Sequence, residues 1–311
     1  MKLGLINSAW FGSTIGTAEG IRLTKTIGFD TIDILADPME IDIRERRLIG
    51  DTCKETGLPV ISVVCCALGI ADFNLAVRQF HVERARQTLD FGYELRARNL
   101  LLVLGEYIWQ QEVITPADQW KWAVELTRDL GIHAASLGLE VAIELEPFHL
   151  SLVNDLPKMI RFLDDVAHPA VKANLDISHL VLAKTPAQEI AKLQGRIAHV
   201  HFSDCDGLKH GDLPPGRGVV EFMPYLEALK SIGFSGTVSI ELEYAPESEK
   251  IVDWVAEAYR ETARMMGSLG IRDSAWAGGK YGERSFNSGC ASRLSARRLR
   301  ASARNVRRGR N

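Results

Sequence analysis

Short runs of β-branched and aliphatic residues alternate, over the first 268 residues, with amphipathic stretches of ten or more, the pattern of a strand followed by a helix. Eight such pairs can be read. Strands are expected near residues 3–8, 31–36, 60–66, 99–104, 140–145, 171–177, 197–203 and 237–243. Helices are expected near 16–27, 41–56, 77–97, 116–137, 154–166, 186–193, 221–232 and 248–268. Gly28, Gly57, Gly138 and Gly233 each stand between a helix pattern and the next strand, where a residue that accepts the left-handed backbone turns the chain back. Eight units with mostly short connections predict an α/β fold. Its form is a closed (β/α)8 TIM barrel, one domain over residues 1–270, rather than an open doubly wound sheet.

The pattern fades at the end. Residues 271–311 carry eleven lysines and arginines against two carboxylates and few apolar side chains, so a disordered basic tail is expected there. Because the whole 311-residue chain has a formal charge of −3, the first 270 residues carry −12. An acidic body argues against nucleic acid as a partner, since duplex binding draws on cationic contacts to phosphates. No apolar run approaches a membrane span, and the amino terminus enters a strand-like segment without a signal-peptide profile, so a cytoplasmic protein without membrane association is expected. Five cysteines without framework spacing are expected to stay reduced. The nucleotide-binding glycine motifs are absent from the sequence.

Candidate chemistry enters at four strand ends. The runs Val-Ala-Ile-Glu144, Ala-Asn-Leu-Asp176, Ala-His-Val-His201 and Val-Ser-Ile-Glu241 close the fifth to eighth strands. In a barrel, these ends meet at the mouth where such enzymes keep their active sites. Three carboxylates and an imidazole suit one divalent ion, Mn2+, Co2+ or Mg2+, with Zn2+ as the borderline alternative. Register leaves a choice, because Glu146 and Glu243 follow their partners by two residues and face the same side. The inner pair, Glu144 and Glu241, is preferred from its spacing to Gly138 and Gly236, which places Glu146 and Glu243 farther out, toward substrate. His199, two residues before His201, is expected to be a buried structural histidine.

These segments resemble the xylose-isomerase-like barrel superfamily of sugar isomerases and epimerases, which shares its fold with the endonuclease-IV-type enzymes. Asn-Leu-Asp176-Ile-Ser-His179 is similar to the Asp-x-x-His motif of the ketose 3-epimerases. His-Val-His201-Phe-Ser-Asp204 is similar to their metal-binding histidine strand, and Pro-Pro-Gly216-Arg217-Gly218 to the loop that follows. The resemblance implies a metal-dependent isomerase or epimerase of carbohydrate metabolism acting on a ketose or polyol through an enediolate. In that reading Glu144 and Glu241 bind metal and act as the acid/base pair, Asp176 and His201 complete the ligand set, and His179, Glu146, Arg217, Glu243 and Asp204 contact substrate. The resemblance leaves room for a homo-oligomer. The family's Arg six residues after the metal histidine is replaced by Gly207, and its Asn-Arg-Phe-Glu-like run by Glu144-Leu-Glu-Pro-Phe-His-Leu; Lys209, His210 and Arg217 are candidates for a different grip. An inosose-dehydratase-like lyase on the same barrel is the runner-up. A nuclease lacks its extra strand-end histidines, and a mere binding module has no use for four converging ligands.

Overall fold

Parallel strands cannot be joined by tight hairpins, so each needs a crossover, and here each strand is followed by a helix. The computed structural model describes residues 1–105, 113–243 and 247–272. The strands are β1 (Lys2–Ile6), β2 (Thr31–Leu35), β3 (Val60–Cys66), β4 (Asn99–Val103), β5 (Glu140–Glu144), β6 (Val171–Asp176), β7 (Ile197–Phe202) and β8 (Thr237–Ile240). The helices are α1 (Thr17–Ile27), α2 (Ile43–Thr56), α3 (Leu75–Glu94), α4 (Pro116–Ser136), α5 (Leu156–Val166), α6 (Ile177–Leu182), α7 (Phe222–Ser231) and α8 (Ile251–Ser268). Neighbours pair in sequence order, and β1 pairs with β8 from Lys2↔Thr237 to Leu5↔Ile240, which closes the barrel.

Local chemistry sets the ends of these elements. Asp42 accepts the backbone N–H groups of Arg44 and Glu45 at the start of α2, and Asp155 accepts that of Lys158 at the start of α5. At the end of α2, Gly57 takes φ 62° and its N–H closes on the Cys53 and Lys54 carbonyls; a side chain there would be strained.

The period-two alternation sorts the barrel into two environments. Leu3, Ile32, Leu100, Val141, Leu175, Val200 and Val238 belong to the large core shared with the helices. Their alternates face the lumen. There Ile6, Val64, Leu101 and Val103 form a small separate apolar cluster on β1, β3 and β4. The same register on β2 and β5–β8 carries Asp33, Glu144, Asn174, His199, His201 and Ser239, all buried. Half of the lumen is thus an apolar plug and half is polar.

Among the boundaries that differ from expectation, three bear on the mouth. β1 stops at Ile6, and Asn7–Trp10 form a 3-10 turn in which Asn7 pairs through its side chain with the backbone of Leu35. β8 stops at Ile240, so Glu241 is the first residue beyond it. The sixth unit, expected as one helix over 186–193, is α6 followed by a 3-10 segment at Ala187–Leu193, because Asp176 caps a helix immediately at the strand end. The expected tail lies, from residue 273, outside the described residues.

Candidate metal and sugar site

Pleating makes the strand ends converge. Ile143, Leu175, Val200 and Ile240 point into the outer core, so Glu144, Asp176, His201 and Glu241 next to them turn inward. Glu144 and Asp176 are the last residues of β5 and β6, and Glu241 extends the β7–β8 pairing through its N–H to the Phe202 carbonyl at 3.0 Å.

Glu144, His201 and Glu241 bring one ligand atom each within 4.8 Å of one another. His201 Nδ1 lies 2.9 Å from Glu241 Oε2 and 3.6 Å from Glu144 Oε1. One imidazole proton can satisfy only one of these two buried carboxylates. A divalent cation would satisfy both, and two carboxylates with one imidazole form a donor set such an ion accepts, so the residues fit a metal. The inner glutamates, rather than Glu146 and Glu243, are the ones gathered here. Asp176 stands just outside the trio. Its Oδ1 accepts the His179 N–H at 3.0 Å as the cap of α6, and its Oδ2 lies 3.4 Å from Ser203 Oγ. Asn174 donates from Nδ2 to Glu144 Oε1 at 2.9 Å and orients that carboxylate.

Asp33, on β2, was not singled out from the sequence. Its Oδ2 lies 2.8 Å from His199 Nε2 and 3.5 Å from His201 Nε2, all three residues being fully buried. His199, expected to be a buried structural histidine, is buried against this carboxylate. If His201 presents Nδ1 to a metal, its Nε2 must carry the proton, and the charge of Asp33 at 3.5 Å favours this tautomer. A lone carboxylate within the apolar strand Thr-Ile-Asp33-Ile-Leu was the available signal.

Electrostatics follow from this crowding. Burial pushes the Glu241 carboxyl well above the usual range, and the charges of Glu144 and Asp212 add to it, against the pull of His201. Burial opposes charge on His201, but Glu241, Asp33 and Glu144 outweigh it and hold its imidazole well above its ordinary value. Asp176 is held low because His179, His201 and nearby hydrogen bonds overcome its burial.

The loop from β7 to α7 supplies the outer wall, and its residues divide unexpectedly. Asp204, expected to contact substrate, is wholly buried. It accepts the backbone N–H groups of Cys205, Gly216, Gly218 and Val220 at 2.8–3.0 Å, so it pins the loop. A Cβ at Gly218 would collide with the Cys205 carbonyl and this carboxylate, which explains the glycine. Arg217, expected at the substrate, makes a two-pronged bond to Glu257 at 2.8 and 2.6 Å and stacks over Trp254. Its guanidinium is committed to α8. His179 is at the mouth. Its Nδ1 lies 2.8 Å from the Leu145 carbonyl, which can only accept, so Nδ1 carries the proton. Its Nε2 lies 2.8 Å from His210 Nδ1, and His210 Nε2 lies 2.7 Å from buried Asp212. Burial disfavours charge on His210, but Asp212, with Asp176 and Glu241 beyond, lifts its imidazole to about 10. Glu146 Oε2 lies 4.0 Å from His179 Nδ1, and Glu243 is half-buried beyond β8.

Fold and site together define a (β/α)8 barrel with a buried carboxylate–imidazole cluster at its carboxyl mouth. Residues 21–268 match the model of the xylose isomerase-like TIM barrel family, and the chain belongs to that family. It is 26% identical over 270 residues to the L-ribulose-5-phosphate 3-epimerase UlaE of Salmonella paratyphi B, spanning 83% of this chain and 92% of that protein. Among solved structures, the D-allulose 3-epimerase of Methylomonas sp. in complex with D-allulose superposes with a TM-score of 0.73 at 20% identity, over 85% of this chain and 97% of that one. The IOLI protein with a bound zinc atom superposes with a TM-score of 0.74 at 19% identity, over 86% and 99%. At these identities the structural matches speak for the fold.

Proposed function

We propose that the protein is a divalent-metal-dependent sugar epimerase acting on a ketose or related polyol through an enediolate. The observation that carries this reading is the convergence of Glu144 and Glu241 on His201 at the barrel mouth, supported by curated relatives that are ketose-phosphate epimerases. Glu144, Asp176, His201 and Glu241 would hold the ion, which supplies positive charge beside substrate oxygens when bound. Mn2+, Co2+ or Mg2+ suits the oxygen-rich set best.

The remaining chemistry belongs to the chain. One glutamate carboxylate takes the proton from the carbon beside the carbonyl, and the electron pair moves onto the carbonyl oxygen. The other glutamate, protonated, returns a proton to the opposite face of the same carbon, so its configuration inverts and no proton is gained or lost. Asn174 keeps Glu144 turned toward the site. His179, Glu146 and Glu243 hold the sugar hydroxyls.

The test is proton exchange. The full-length protein, loaded with Mn2+, is incubated in D2O with a panel of ketoses and inososes, and loss of the C3–H signal is followed by NMR. Exchange with at least one ketose, and about one divalent ion per chain by elemental analysis, is expected. Loss of water from an inosose without ketose exchange would replace the epimerase by the lyase reading; two or three zinc ions per chain would point to the nuclease type.

A further inference from the structure

Resting on the epimerase reading, we propose that the substrate carries no phosphate: the mouth is built for a neutral polyhydroxy ketone. Proteins grip a phosphate with lysine and arginine side chains or with the free N–H groups of helix N-termini. Both are scarce here.

Among the described residues, the segments that lead from each strand to its helix line the carboxyl face: 7–16, 36–42, 67–74, 104–105, 113–115, 145–155, 203–221, 241–243 and 247–250, with β6 running directly into α6. In sequence they hold only three lysines and arginines, Lys209, Arg217 and Lys250. Arg217 is held by Glu257, and Lys250 pairs with Glu247 at 2.5 Å. Lys209 sits exposed in a turn organised by Asp206, whose charge it faces. The imidazolium of His210 is matched by buried Asp212. Around the site itself stand Glu144, Glu146, Asp176, Glu241 and Glu243. Cations gather instead at the opposite end of the barrel, where Lys2, Arg98 and Lys172 line a cavity of about 460 Å3 with Glu140.

Each helix N-terminus already has an acidic or capping side chain of its own. Those of α2, α5 and α6 are already filled by the carboxylates of Asp42, Asp155 and Asp176, and those of α3 and α4 by Asn74 and Thr115. Of the rest, α1 and α8 carry Glu19 and Asp253 in their first turns, and α7 has Glu221 at its cap. A phosphate dianion entering this mouth meets like charge at each side, whereas a sugar hydroxyl meets acceptors it can donate to.

The full-length Mn2+-loaded protein is offered L-ribulose and D-allulose, each against its terminal phosphate ester. Binding is measured by isothermal titration and C3-proton exchange by NMR. The full chain includes whatever the arginines beyond residue 272 contribute. The free sugars are expected to be favoured at least about tenfold in kcat/KM. The KM of the esters is expected to fall as added salt screens the repulsion. A preference for either ester, lost in Lys209→Ala, would overturn the inference and leave the epimerase reading standing. Exchange with none of the four, while the free sugars bind tenfold more tightly than the esters, would remove the epimerase reading and keep the neutral ligand. Esters that bind as tightly as the sugars, or sugars that do not bind, would overturn it.

Discussion

His201 shows how much of the site rests on single atoms. Its two nitrogens face opposite demands, Nδ1 toward Glu144 and Glu241, Nε2 toward Asp33. Asp33→Asn keeps the shape but offers Nε2–H a weaker acceptor. Mn2+ affinity, read by competition with a chelating dye, is expected to fall about 10- to 100-fold, with turnover recovering at saturating metal. A merely structural role would lower the melting temperature and leave the Kd unchanged. For the proposed proton-transfer pair, Glu144→Gln and Glu241→Gln are each expected to cut C3–H exchange by about 10²-fold or more, because an amide is not a carboxylate base. Glu146→Gln and Glu243→Gln are expected to raise KM chiefly. Exchange that survives the inner changes and dies with the outer ones would move the chemistry outward. His210 provides a pH readout. Its folded value, near 10, stands above the ordinary 6.5, so its pair with Asp212 stabilises fully below about pH 6.5 and loses that contribution as pH rises through 10. Denaturant unfolding of the parent and His210→Gln should differ by on the order of 2 kcal/mol at pH 6, and the gap should close toward pH 10.

Among the elements, the loop between β7 and α7 owes its form to one buried carboxylate. Four backbone N–H groups converge on Asp204, and its own backbone pairs both ways with Leu213. Asp204→Asn turns one acceptor oxygen into a donor facing N–H groups. A loss of about 3 kcal/mol is expected in denaturant unfolding, with faster proteolysis within 205–220. Unchanged protection would show that the loop is held by Leu213 and Val220 instead. The Asp-x-x-His spacing has a parallel explanation: Asp176 ends a strand, caps α6, and so sets His179 one turn along, against the Leu145 carbonyl.

For the whole molecule, the β1–β8 pairing that closes the barrel is accompanied by contacts of the first and last described residues. The Met1 amino group donates to the Ile271 carbonyl at 2.8 Å, and Arg272 reaches Asp30 at 3.1 Å and the Tyr259 ring. These ties anchor residues 271 and 272 to the barrel. A chain ended there is expected to melt and turn over as the full chain does, checked by calorimetry and C3–H exchange; loss of soluble protein would show that later residues contribute to the core.

The eight strand–helix units, their order and the inward turn of the four strand-end side chains were legible because period-two burial and left-handed glycines are local properties that each segment writes by itself. The choice between glutamates was legible only as a preference from glycine spacing, because Glu144 and Glu146 share a face and the barrel's closure shows which one reaches His201. Asp33 lies 166 residues from His199 in sequence, and no local pattern joins a carboxylate on β2 to imidazoles on β7. Asp204 and Arg217 looked like substrate contacts by their motif, yet one is saturated by backbone N–H groups and the other bound to α8. Sequence determines which side chains can face the lumen; tertiary structure decides which of them are already spent on one another, because hydrogen-bond partners and charge neighbours are set by distance in space.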